Sequence, residues 1–126
     1  VAETTGSNGK RMLVVLRHSP YGSSLSRAGL DAALSAAAFE QAVDLLFLGD
    51  GVLQLLPDQE ARAIGAKNVG KLLASLPLYD IDKIYVDAAA AGRYGLALES
   101  LPLPAAAVDT AGAQALMARC DHLLGF

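Results

Sequence analysis

Met12-Leu13-Val14-Val15-Leu16, ended by Arg17-His18-Ser19-Pro20-Tyr21-Gly22, is the stretch on which the fold turns. Five apolar residues in a row leave no polar face for water, so the segment reads as a strand buried on both sides and followed by a Pro/Gly loop. Strands of this kind sit in parallel sheets covered by helices. The segments that follow should therefore alternate between helix and strand.

They do. Ser24 can cap a helix running to about Gln41, with Leu30, Ala33, Leu34, Ala37 and Ala38 at three- and four-residue spacing. Val43-Asp44-Leu45-Leu46-Phe47-Leu48 reads as a second buried strand, stopped by the turn residues Gly49-Asp50-Gly51. An apolar stretch and Pro57 lead into a helix expected over 60–75, which Pro77 closes, and Ile84-Tyr85-Val86 is the third strand. Asp87 opens a short helix to about Leu98, Pro102 and Pro104 break the chain, and a weak fourth strand covers 105–108. Asp109-Thr110 caps a last helix to Arg119, and 121–124 form a fifth strand. Connections of about a dozen residues or more require parallel neighbours and right-handed crossovers. The class is α/β, with one domain over 11–126, no internal repeat, and a small polar tail over 1–10 expected to be disordered.

The 126 residues are 53% hydrophobic and 18% charged, with formal charge −3, enough chain for one domain that buries about two thirds of its unfolded surface. No apolar run approaches the roughly 18 residues of a membrane span, so a soluble protein is expected. One cysteine excludes a disulfide scaffold and any zinc site with two thiolates, two histidines leave little for a metal centre, and a reducing cytoplasm fits best. The acidity argues against a protein that neutralises phosphates along nucleic acid.

In an open α/β sheet, ligands bind at the carboxyl ends of the strands. That edge should carry Arg17, His18, Ser19 and Tyr21 after the first strand, Asp50 after the second, Asp87 after the third and Asp109 after the fourth. His18 with Arg17 could hold an anion, or His18 could simply bond a loop carbonyl; the glycine spacing of a phosphate-binding loop is missing. Asp50, Asp87 and Asp109 could gather round magnesium, but turn and capping roles account for each separately, and no metal or other cofactor is expected. Cys120 follows a helix C-terminus and precedes Asp121, a setting that disfavours a thiolate and places the thiol at the opposite edge. No catalytic residue is assigned. Val52, Leu53, Gln54, Leu55 and Leu56, with Tyr79 near a second break, put much apolar area into connections that normally run over the surface. They are either a candidate protein interface or a short helix tucked into the core.

Leu46-Phe47-Leu48-Gly49-Asp50-Gly51-Val52-Leu53-Gln54-Leu55-Leu56-Pro57-Asp58-Gln59 resembles the D-G-V-x-Q-L-x-P-x-Q signature of TusC/DsrF proteins in the DsrE/DsrF/DsrH family. Pro20-Tyr21-Gly22, the run from Arg27 to Leu34, Leu78-Tyr79-Asp80-Ile81, Gly95-Leu96 and the segment from Asp121 to Phe126 agree in order, so the resemblance spans nearly all of 11–126. It implies a single-domain α/β/α sandwich with a five-stranded, mostly parallel sheet. It also implies a partner subunit of a TusBCD/DsrEFH-type hetero-oligomer, relaying persulfide sulfur from a small carrier protein toward 2-thiouridine at the tRNA wobble position, or serving sulfur oxidation. In that family the transferring cysteine lies chiefly on the TusD/DsrE subunit, in the loop that begins here with Asp87, and a carboxylate cannot hold a persulfide. The expected subunit is therefore non-catalytic, with TusB-like and TusD-like partners and no direct contact with nucleic acid or membrane. The competing readings are a persulfide carrier using Cys120, a small-ligand enzyme using Arg17, His18 and Asp50, and a homo-oligomeric binding module.

Overall fold

The apolar runs at 12–16 and 43–47 lie side by side at the centre of a parallel sheet, where both of their faces are covered. A computed structural model of the chain describes residues 11–18, 25–55, 75–81, 83–101 and 104–126. The strands are β1 (Arg11–Leu16), β2 (Ala42–Phe47), β3 (Ile84–Asp87), β4 (Ala106–Val108) and β5 (His122–Gly125), in the spatial order β4-β3-β2-β1-β5. All four pairings are parallel, where the sequence led us to expect a mostly parallel sheet. Register aligns Leu13 with Asp44 and with Leu123, and Leu46 with Tyr85.

The strand order explains the two-sided cover. From β1 to β4 the chain steps across the sheet in one direction, and from β4 it returns to the far side of β1, so right-handed crossovers put the last helix on the face opposite the others. Among the described residues, three α-helices are bounded: α1 (Leu25–Ala38), α2 (Ala88–Arg93) and α3 (Thr110–Arg119). On one face Val14, Leu16, Leu45, Phe47, Ile84 and Val86 pack against Leu30 and Ala33 of α1 and Ala90 and Ala91 of α2. On the other, Leu13, Val15 and Leu46 meet Ala113 and Leu116 of α3. The result is the expected α/β/α sandwich, with α1 and α2 on one face and α3 on the other.

Helix ends differ from the sequence expectation by a few residues. α1 stops at Ala38, short of Gln41, because Glu40 takes a left-handed conformation (φ 65°) and the amides of Glu40 and Gln41 donate back to Ala37 and Ala36. α2 stops at Arg93, short of Leu98, because Gly95 (φ 69°) turns the chain and the Leu96 amide returns to the Ala91 carbonyl. Both ends are Schellman closures, which satisfy the last carbonyls of a helix from beyond its end. Asp80 (φ 63°) closes a short 3-10 turn, Leu76–Tyr79, in the same way. The helix expected over 60–75 lies, but for Ser75, outside the described residues, as do the tail over 1–10 and the loop residues Ser19, Tyr21 and Leu56.

The stretch after β2 is a 3-10 run, Gly49–Leu55, folded inward. Val52 and Gln54 are fully buried and Leu55 is 6% exposed, while Leu53 is half-buried. Val52 and Leu55 join the core beside Phe47 and Leu76, so those side chains fill the chain's own interior. The reason is the turn at Gly49 (φ 51°), which sends the chain back over the ends of β1 and β2. Apolar surface does remain outside, at Leu78 (83% exposed) and Tyr79 (42%).

Candidate functional site

The carboxyl ends of β1 and β2 are tied together by backbone bonds before any side chain is considered. The Leu48 amide donates to the Leu16 carbonyl at 2.9 Å, and the Gly51 amide to the Leu48 carbonyl at 2.8 Å. Gln54, buried beneath this edge, donates its side-chain amide to the His18 carbonyl at 3.0 Å. The signature D-G-V-x-Q thus acts as a clasp: the glycine permits the close approach, and the glutamine pins the loop that leaves β1.

Asp87 sits at the end of β3. One carboxylate oxygen accepts the Ala89 and Ala90 amides at 3.1 and 3.3 Å, capping α2, and the other accepts the Gly49 amide at 3.1 Å. Its lone pairs are engaged by three backbone N–H groups, and its role is to join the β2 and β3 loops. Asp109 caps α3 by accepting the Gly112 amide at 2.7 Å. Asp50 accepts a hydrogen bond from the Tyr94 hydroxyl, and the Arg93 guanidinium lies 5.2 Å from the centroid of the Tyr94 ring.

The structure therefore brings Asp50 and Asp87 to one edge through Gly49. Arg17 and His18 lie exposed at the end of β1, and among the described residues no hydrogen bond or ion pair joins their side chains to either carboxylate. Tyr94 and Arg93 belong to the same edge and were missed in the sequence; an aromatic next to a cation just before Gly95 was the available signal. A cleft of about 260 Å³ opens on the α3 side of this edge, with Asp87 and Asp109 in its wall and Leu48, Ala113 and Met117 as its apolar lining. Among the described residues no three His, Cys, Asp or Glu side chains gather as a metal site. No helix of those residues is long and apolar enough to cross a membrane.

The thiol is elsewhere. Cys120 ends α3 at the amino-terminal side of the sheet, half-buried, and its Sγ donates to the Met117 carbonyl at 3.2 Å.

Asp87→Ala should cost about 1–2 kcal/mol, because it frees one cap and one loop-to-loop bond at a half-buried position. A lowered urea midpoint at unchanged m value is the expected reading, with Asp87→Asn, which keeps one acceptor oxygen, falling between the two. An unchanged midpoint for Asp87→Ala would remove the joining role.

Fold and edge together define a small parallel-sheet domain whose strand ends are closed by a glycine-dependent clasp and carry no thiol among the described residues. The chain belongs to the DsrE/DsrF-like family, whose model matches residues 10–126. It is 34% identical over 116 residues to a protein TusC homolog of Vibrio vulnificus (strain CMCP6), covering 92% of this chain and 98% of that one. A TusC homolog of Pseudomonas aeruginosa is also 34% identical, over 113 residues, covering 90% and 95%. In fold, the chain is similar to the crystal structure of the ychN protein from E. coli, with TM-score 0.72, 17% identity, and coverage of 93% of this chain and 99% of that one.

Proposed function

We propose that this chain is a non-catalytic partner subunit of a TusBCD/DsrEFH-type sulfurtransferase complex, a sulfur relay that passes persulfide sulfur toward 2-thiouridine at the tRNA wobble position in a reducing cytoplasm. The observation that carries the reading is Asp87. At the strand end where a relay protein would need a thiol, this chain has a carboxylate whose oxygens are occupied by three backbone amides. Such a group holds loops in place and does not carry sulfur.

Similarity to the TusC homologs over nearly the whole chain supports membership of such an assembly. The exposed Leu78 and Tyr79, with the half-buried Leu53, supply apolar surface for subunit contact, and Arg17, His18 and Asp50 supply polar groups for contact at the carboxyl ends of the strands. Val52, Gln54 and Leu55 contribute from beneath, by holding that surface in shape.

Coexpression with TusB-like and TusD-like chains tests the reading. A stable complex containing all three chains is the expected result, together with intact-mass spectra in which a loaded sulfur donor adds no sulfur atom to Cys120. A chain that stays monomeric beside both partners would reject the subunit role, and a gain of 32 Da on Cys120 (about one sulfur atom) would turn the reading toward a carrier.

A further inference from the structure

The sheet end opposite the candidate site holds a second cleft, of about 240 Å³, between β1, β2, β3 and the end of α3. Leu13, Leu116 and Tyr85 form its apolar part, and Arg11, Lys83 and Arg119 reach it from three different elements or their flanks. The unusual feature is Asp44. It interrupts the otherwise apolar strand Ala42–Phe47, it is 9% exposed, and it takes the Arg11 guanidinium in a two-point grip, Nη2 to Oδ1 at 2.6 Å and Nε to Oδ2 at 3.2 Å. An apolar pair of similar volume would stabilise such a position as well or better, because withdrawing charges from water offsets most of their attraction. What the ion pair does supply is orientation: it fixes a planar cation at the wall of the cleft.

A second carboxylate at this end, Asp121, accepts the Arg11 backbone amide at 2.7 Å. Lys83 and Arg119 have no carboxylate partner among the described residues. The cleft thus concentrates positive charge on a chain whose net charge is −3. A cation in the last turn of α3 suits the helix dipole, which accounts for Arg119 alone but not for Lys83 or for the Arg11–Asp44 grip.

We propose that this cleft is a binding site for a small oxyanion with the size and charge of phosphate. Lys83 and Arg119 supply the charge-assisted hydrogen bonds, and the apolar wall limits competition from water. The cleft uses none of the residues named for the subunit role.

Inorganic phosphate is the probe, titrated into the full chain against sodium chloride of equal ionic strength. The thermal midpoint should rise with phosphate, and the paired substitution Lys83→Gln with Arg119→Gln, at two exposed positions, should weaken binding by about ten-fold per cation removed. The single thiol gives a second reading, because Cys120 lines the same cleft. Phosphate should slow its alkylation by iodoacetamide with the same half-saturation as the midpoint shift. No phosphate effect beyond that of chloride, an equal effect in the doubly substituted chain, or a midpoint shift without protection of the thiol would each overturn the proposal.

Discussion

Gly51→Ala is expected to leave little or no folded protein. A Cβ at that position would stand 1.9 Å from the Leu16 carbonyl oxygen and 2.6 Å from its carbon, and both are backbone atoms at the end of β1. The same oxygen accepts the Leu48 amide, so it cannot retreat without loosening β1 from the chain that leaves β2. Gly29 makes a useful contrast. A Cβ there would crowd Leu16 Cδ2, the far end of a side chain that can shift, and stand 3.1 Å from Phe126 Cβ. For Gly51 no such relief exists, and a loss above about 4 kcal/mol is comparable to the whole stability of a domain at the lower end of the usual 5–15 kcal/mol. Soluble yield and a circular-dichroism melt of the variant provide the measurement. A melt within a few degrees of the parent would show that the close approach is not required.

Arg11→Met should be the next most damaging change, at about 2–3 kcal/mol. It keeps the stem of the side chain and strands Asp44, whose side chain is 12% exposed, without its charge partner. The figure sits below the 3–5 kcal/mol of a fully enclosed pair because the Arg11 side chain is 44% exposed and already shares its charge with water. Combining Arg11→Met with Asp44→Leu should recover most of the loss, since the pair then becomes an apolar contact beside Leu13. Urea denaturation of the three chains gives the comparison. If Arg11→Met alone is as stable as the parent, Asp44 does not depend on the guanidinium; if the double substitution is no better than the single one, the cost does not come from a stranded charge.

The framework of the domain was legible from local pattern because each strand is buried on both faces or lies between clear breaks. Met12 to Leu16 and Val43 to Leu48 could not be read as anything that faces water, and Asp87 and Asp109 stand where helix caps were expected. Helix ends were less legible. A glycine such as Gly95 signals a left-handed closure, but Glu40 adopts one without any such signal, since the bonds to Ala36 and Ala37 compensate for the conformation. The segment 49–55 was open to two readings, interface or core, because an apolar run records that its side chains avoid water and not which surface excludes it. Burial of Val52 and Leu55 follows from the turn at Gly49 and the clearance at Gly51, and both are tertiary conditions.

The candidate site shows the same division. Asp50 and Asp87 were assigned to one edge from strand direction alone, yet their partners lie far off in sequence: Tyr94 is 44 residues from Asp50, and Gly49 is 38 from Asp87. The grip of Arg11 on Asp44 spans 33 residues and depends on the parallel register of β1 and β2. Nothing in the local pattern singles out Asp44, because one polar residue inside an apolar strand can equally mark an edge or an error of register.

By itself, then, the sequence of this protein determined the class of the fold, the places of its five strands, the capping aspartates and the family, all of which depend on residue types repeated over short distances. The tertiary structure decided the strand order, the face that α3 covers, the inward path of 49–55, and the division of charge between the two ends of the sheet. Those depend on which segments meet, and that choice is made by the summed packing and hydrogen bonding of residues dozens of positions apart, which no local period records.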